Sequence, residues 1–253
     1  MDITALTPDE IAARLCAPPK ERAAFVRACA EAGEPAAQAV FAQMLLDGNG
    51  VAQDAAAALG WFVRAAAQHH ALGVNMVGRC YELGWGTAID QARATDCYRV
   101  AAGLGLDWGM YNYATSLALG RGVDEDKAAA LDWLRKTAAT GSTLAAAKAI
   151  NFVGSFHEDG WVVARDLKAA ARCYTRAAEG GDFRGCFNHA RMLGAAGRID
   201  EAVGWLRRAG ASATPAFVDK ACAWLVGAAV PAFRRRGVQA MLIGAGKLES
   251  TPC

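Results

Sequence analysis

The apolar positions fall into short helical runs interrupted at a regular interval by glycine and aspartate. The stretch at 119–141, LGRGVDEDKAAALDWLRKTAATG, shows the unit cleanly. An apolar helix closes into a Gly-x-Gly turn. An Asp then opens a second helix, which carries a large aromatic and ends in small residues. Three further turns align with it: Gly48-Asn-Gly50-Val-Ala-Gln-Asp54, Gly84-Trp-Gly86-Thr-Ala-Ile-Asp90 and Gly160-Trp-Val162-Val-Ala-Arg-Asp166. With Gly120, Gly122 and Asp126 they place the four Asp residues 36, 36 and 40 apart. A fixed period of this size is the mark of stacked helical hairpins.

Each recurring residue meets a backbone need. The first Gly can adopt the left-handed conformation that ends helix A, and the second allows a tight turn beside its neighbour. The Asp caps free N–H groups of helix B and suits the positive end of its dipole. Seven residues after each Asp comes Trp61, Cys97, Trp133 or Cys173, with Tyr98 and Tyr174 following the two cysteines. We expect this large side chain to wedge between hairpins. The small pairs Ala65-Ala66, Ala101-Ala102, Ala138-Ala139 and Ala177-Ala178 should allow close helix approach. A degenerate fifth unit lies at 182–210, with a Gly197-Arg-Ile-Asp200 turn and Trp205-Leu206.

The flanks predict caps. Thr7-Pro8 with Glu10 reads as a capping box, Pro18-Pro19 breaks that helix, and a second helix covers about 20–32. Phe25 and Cys29 should face the first repeat. At the other end, Thr214-Pro215 starts a helix through Ala229, a second runs over about 231–243, and the tail 249–253 is expected to fray. The chain therefore reads as caps at 1–34 and 211–253 around repeats at 36–70, 71–105, 106–141, 142–181 and 182–210.

Composition narrows the function classes. Lys+Arg 27 against Asp+Glu 25 lacks the basic excess on which nucleic-acid binding rests. Residues 1–8 have neither the basic nor the apolar region of a secretory signal, and no run approaches the roughly 20 apolar residues of a membrane span. A cytoplasmic location is the expectation. The eight cysteines include no CxxC and fall mostly at apolar helix positions, so they read as buried thiols.

The Leu/Val-Gly-x-x-Tyr helix (Val77-Gly78-Arg-Cys-Tyr81, with looser versions at 113–117 and 153–156), the Gly-x-Gly-Val turn, the Asp, the Trp and the Ala-Ala-x-x-Gly ending resemble the Sel1-like repeat family. That family is related to the tetratricopeptide repeats and is numerous in bacteria. The resemblance spans about 36–210, with departures at Val162 and at Cys97 and Cys173. It implies an all-α fold, a right-handed α/α superhelix of about five helix-turn-helix repeats with terminal capping helices. It also implies a non-catalytic adaptor or scaffold, with no cofactor or metal, that holds a protein or peptide partner in a concave groove. A cysteine-rich bacterial branch pairs its cysteines across hairpins, and the spacing here does not reproduce that pattern.

The family's packing positions lie seven, six and three residues before the first turn Gly. Positions nine, eight, five and four before it should then face the groove. They supply Gln43, Asn75, Arg79, Asn112, Thr115, Ser116, Asn151 and Ser155, with Tyr111 at the edge. Short amides and hydroxyls in register suit an extended peptide backbone, while the plainer alternative has the Asn side chains bracing adjacent hairpins. Trp85 and Trp161 sit inside turns, either as exposed anchors or as covers for the neighbouring turn. The residues Gly48, Gly50, Asp54, Trp61, Gly84, Gly86, Asp90, Tyr98, Gly120, Gly122, Asp126, Trp133, Gly160, Asp166, Tyr174 and Trp205 are assigned to building the repeat.

Two other readings stay open. Cys186 and His189 are i,i+3 and could share a helix face as a hydrolase pair, and a small-ligand-binding member of the family is a further variant. A homo-oligomeric building block, joined through end helices or the apolar segment 221–233, is the other. Arg234-Arg235-Arg236 suits an acidic partner or simply the wet face of a terminal helix. Gly244-Ala-Gly246-Lys247 is no phosphate loop, because Met241 and Leu248 stand where Gly and Ser/Thr belong.

Overall fold

The capping and glycine signals form fourteen α-helices among the described residues, 6–248, of the computed structural model. Thr7 closes the capping box with Glu10 and opens α1 (Pro8–Leu15). α2 (Pro19–Glu31) follows the Pro18-Pro19 break. Helices in A/B order come next: α3 (Pro35–Asp47) and α4 (Ala55–Ala67) form a hairpin, as do α5 (Ala71–Leu83) and α6 (Gln91–Gly103), and α9 (Leu144–Asp159) and α10 (Leu167–Glu179), while α7 (Asp107–Leu119) and α8 (Lys127–Ala138) carry the third copy of the motif. The degenerate unit is α11 (Phe183–Ala195) with α12 (Ile199–Ser212), joined by a short turn at Gly197. α13 (Pro215–Val226) and α14 (Pro231–Gly244) close the chain. α13 ends three residues before Ala229, at the Gly227 cap. The tail at 249–253 lies outside the described residues.

The turn geometry is that expected from residue type. Gly48, Gly84, Gly120 and Gly160 all cap their helices in the left-handed region. The backbone N–H of Asp54, Asp90, Asp126 and Asp166 donates, at 2.9 Å in each copy, to a carbonyl in the last turn of helix A. The carboxylates of Asp54, Asp90 and Asp166 accept from the first turn of helix B. The second glycine matters for another reason. A Cβ at Gly50, Gly86 or Gly122 would lie 2.0–2.3 Å from a carbonyl oxygen, that of Pro19, Ala55 or Gln91, at the start of α2, α4 or α6. Val162 holds the matching place in the fourth turn at φ 49°, with its side chain 56 % exposed.

The chain divides into two compact units, Met1–Asp126 and Lys127–Cys253. In the first, each helix packs on its chain neighbours, and the A helices α3, α5 and α7 also touch in sequence. In the second, α9 packs on α10 and α11, and α12 packs on α14. Small residues set the spacing in both. Gly73 and Gly109 sit against Ala65 and Ala101 in the first unit, and Gly185 sits against Ala177 in the second, with would-be Cβ contacts of 2.7–2.8 Å.

Two expectations shift by one residue. The wedge on helix B stands eight residues after the Asp, not seven: Phe62, Tyr98, Leu134 and Tyr174 are each at most 2 % exposed. Trp61, Cys97, Trp133 and Cys173 lie beside them at the edge of the core, half-buried. In three copies the edge Trp carries a cation three residues on, Arg64 over Trp61, Lys136 over Trp133 and Arg208 over Trp205, each at 4.3 Å. Indole is amphipathic and tolerates the rim, whereas the position one step round the helix points fully inward. The small pair of the third copy is likewise Thr137–Ala138. Thr137 is buried with its hydroxyl on the Trp133 carbonyl, and Ala139 is exposed.

The cysteines also differ from expectation. Seven described thiols are free, but only Cys80 and Cys186 are buried, Cys16 is exposed, and the rest, Cys29 included, are half-buried. A thiol at the rim of an apolar stripe packs with one side and leaves the other to solvent.

Candidate functional site

The A-helix residues sort by their distance from the turn glycine. Five residues before it stand Gln43, Arg79, Thr115 and Ser155. All are exposed or half-buried, so this position faces outward in every copy. Asn75, Asn151 and Ser116, assigned to the same face, are instead 4–8 % exposed. Ser116 is buried on α7, while Asn75 and Asn151 sit in the seam between successive A helices, where a neighbouring A helix covers that side of the cylinder. The bracing alternative describes them: Asn112 Nδ2 donates to Asn75 Oδ1 at 3.0 Å, and Asn188 Nδ2 donates to Asn151 Oδ1 at 2.9 Å. A buried amide left without this partner would cost roughly 1–3 kcal/mol.

The other candidates are partly committed. Gln43 donates to Asp47 on its own helix at 3.0 Å. The Thr115 hydroxyl donates to the Tyr111 carbonyl at 2.8 Å, and the Tyr111 ring meets Trp108 edge-on. Trp85 and Trp161 are half-buried covers rather than free anchors. Trp85 packs on the first core beneath the Arg79 guanidinium, and Trp161 meets Phe156 edge-on with Lys127 over its ring.

Each unit carries a carboxylate at the turn end of its seam, a feature not singled out from the sequence. In the first, the Tyr98 hydroxyl donates to Glu82 at 2.7 Å, and Gly78 gives the Tyr98 ring room. In the second, the Tyr174 hydroxyl donates to Glu158 at 2.6 Å over Gly154. Burial and the carboxylate bond push both phenols above their ordinary range, so both remain donors. The signal lay in a longer period: Asn75, Gly78, Glu82, Tyr98 and Asn112 recur as Asn151, Gly154, Glu158, Tyr174 and Asn188, each 76 residues on.

The two sites differ in one partner. Arg191 grips Glu158 with two hydrogen bonds, at 3.1 and 2.7 Å. Burial alone would raise the Glu158 carboxyl. The Arg191 and Tyr174 donors outweigh it and hold the group below the ordinary carboxylate range. A carboxylate with a lowered folded pKa stabilises the fold above its unfolded value, near about 4.3, and loses that contribution as pH falls through the folded value. The melting temperature of the wild type should therefore exceed that of Glu158→Gln at neutral pH. The gap should shrink on acidification below about pH 4, and a gap independent of pH would show that the ion pair adds no stability.

The Cys186–His189 pair does not assemble as a nucleophile and base. Cys186 is buried, its thiol is pushed up to about 11 by desolvation, and its Sγ–H donates to the Ala178 carbonyl. His189 Nδ1 lies 3.1 Å from the Thr175 hydroxyl, and its ring meets Trp205 edge-on. Among the described residues no three His, Cys, Asp or Glu side chains are grouped to hold a metal ion, and no helix is long and apolar enough to cross a membrane. An open, mainly apolar hollow of about 480 Å³ lies between α11, α13 and α14, lined by Trp224, Ala228, Val230 and Phe233 with Arg191 at its rim.

Several solved structures share this fold. A Sel1 repeat protein from Oxalobacter formigenes superposes with a TM-score of 0.76 at 21% identity, over 94% of this chain and 98% of its own. The protective antigen c5321 of uropathogenic Escherichia coli, which displays an SLR fold, gives 0.64 at 23% identity. That match covers 90% of this chain and 49% of the antigen, so the chain spans about half its length. Immunity protein Pa5087 from Pseudomonas aeruginosa gives 0.56 at 15% identity, over 84% and 80%. At these identities the likeness is one of fold. No curated protein matches the chain. The Sel1 repeat pattern itself matches residues 35–70, 71–106, 109–142 and 147–182, more than half the chain, and the chain belongs to the Sel1 repeat family.

Proposed function

We propose that the chain is an interaction module that holds a protein or peptide partner on the A-helix face of its first unit and does no chemistry of its own. The observation that carries this reading is the outward column at the fifth position before each turn. There Arg79 and Thr115 flank the Asn75–Asn112 pair, and polar groups remain reachable on a rigid seam. Extended peptides are recognised by such donors and acceptors in register, with affinity concentrated in a few anchored contacts. Members of the Sel1 repeat family serve generally as protein-interaction scaffolds, and an immunity protein shares the fold. We place the module in the cytoplasm, where free thiols such as Cys16 stay reduced.

The test is capture of a partner from the source cell by the wild type, Thr115→Arg and Val63→Arg. Val63 is exposed on α4, away from the A-helix face. Thr115→Arg should abolish capture with helicity intact, and Val63→Arg should leave it unchanged. Equal capture by all three would remove the assignment of the face.

A second reading has its own observation. The hollow beside Trp224 is apolar, and Trp224 and Val226 are 44 % and 60 % exposed. Exposed apolar patches of this kind mark association surfaces, and a second copy of the chain is the simplest occupant. Light scattering over a range of concentrations separates this reading from a strict monomer.

A further inference from the structure

The duplicated seam compares a closed site with an open one in the same molecule. In the second unit Glu158 is saturated: Tyr174 donates to it at 2.6 Å, and Arg191 binds it through two nitrogens. The first-unit counterpart of Arg191, 76 residues earlier, is Thr115, which cannot reach a carboxylate in that way. Two other arginines come near instead. Arg79 Nε stands 3.8 Å from Glu82 Oε2, and Arg121 Nη1 stands 3.9 Å from Oε1, both beyond hydrogen-bonding distance. Among the described residues neither guanidinium donates a hydrogen bond, and Arg79 Nε is buried with no acceptor at all.

We propose that Arg79 and Arg121 form a receptor for a carboxylate of the partner, the side chain of an Asp or Glu in an extended peptide lying on the first unit. The inference rests on the binding reading above and adds the partner's chemistry. Two guanidinium groups beside one carboxylate make a local excess of positive charge, which an acidic group complements, within a unit that carries 9 Lys and Arg against 15 Asp and Glu. Their side chains are 35 % and 52 % exposed, so the donors are reachable but partly shielded from water. The Arg79 guanidinium lies 5.4 Å over the Trp85 ring, a stacking surface that limits its freedom before binding. Arginine forks bind carboxylates bidentately, and ordering one fork in advance lowers the entropic cost of doing so. Glu82 keeps its Tyr98 hydrogen bond throughout and spaces the two cations. Thr115, on the outward face of α7, would meet the peptide backbone beyond the acidic residue.

The experiment selects binders to the full chain from a random linear peptide library and measures the affinity of a selected peptide for variants. The wild type should enrich Asp or Glu at one fixed position. The Kd of that peptide should rise about ten-fold or more in R79Q/R121Q. Arg172→Gln, exposed on α10 in the other unit, should bind as the wild type does. Circular dichroism checks folding, and the exposed single variant Arg121→Gln carries the comparison if the double variant fails to fold. Selected peptides without an acidic preference would overturn the inference and leave the binding reading intact, as would acidic peptides whose affinity the variants leave unchanged. A library that yields no binders would overturn both.

Discussion

Replacing Gly122 with valine should destabilise the protein by about 3 kcal/mol or more and lower its melting temperature by on the order of 10 °C. Two costs add at this site. The residue has φ 66°, a region that β-branched residues occupy only under strain. A Cβ there would also lie 2.1 Å from the Gln91 carbonyl oxygen and 2.2 Å from its carbon, so the backbone of one hairpin would have to retreat from the next. The fourth turn offers the reverse experiment. Val162 already occupies the left-handed region, and its exposed side chain packs little, so Val162→Gly should raise stability by about 1 kcal/mol. Thermal melts followed by circular dichroism measure both. A loss on Val162→Gly would mean that Val162 contributes packing that outweighs its backbone strain, and an unchanged melt for Gly122→Val would mean that the turn tolerates strain.

The second large effect separates the wedge from the conspicuous tryptophan. Tyr98→Ala should cost about 3–5 kcal/mol, the usual penalty for emptying a large aromatic site. Its ring is 2 % exposed, lies against Gly78 and anchors Glu82 through its hydroxyl. Trp61→Ala removes a larger side chain but should cost less, about 1–2 kcal/mol. Trp61 is half-buried, meets Phe41 edge-on and carries Arg64 on its other face. Urea titrations of the two variants decide the register, and a Trp61→Ala loss equal to or greater than that of Tyr98→Ala would restore the wedge to the seventh position.

This pair also shows where the fold was legible and where it was not. Gly48, Gly84, Gly120 and Gly160 and the Asp caps read directly from residue type, because each meets a backbone requirement that few residues satisfy. The wedge did not, since neighbouring helix positions differ by about 100° and a Trp at the rim looks as apolar as a Phe inside. The seam failed for a related reason. Asn75 and Asn151 look like solvated polar residues, yet the next A helix covers them, and only tertiary packing tells that face from the open one. The clue that survives in one dimension is the 76-residue recurrence from Asn75 to Asn151 and from Glu82 to Glu158. A search for a one-hairpin period passes over it. The division between Asp126 and Lys127 is hidden because the repeat motif runs through it, although the charge balance changes there, from 9 Lys and Arg against 15 Asp and Glu before it to 18 against 10 after it.

The division of labour within the repeat follows from these placements. Glycines, Asp caps and the inward residue of helix B build each hairpin, and the Asn pairs fasten one A helix to the next. What remains outward on the first unit is the column holding Arg79 and Thr115. The most direct test of its role replaces single residues with a photo-crosslinking amino acid in the source cell, at Thr115 on the A-helix face and at Val100, 44 % exposed on α6. A discrete cross-linked protein from position 115 and none from position 100 is the result expected. A partner trapped from position 100 alone, or from neither position, would contradict the assignment of partner binding to this face.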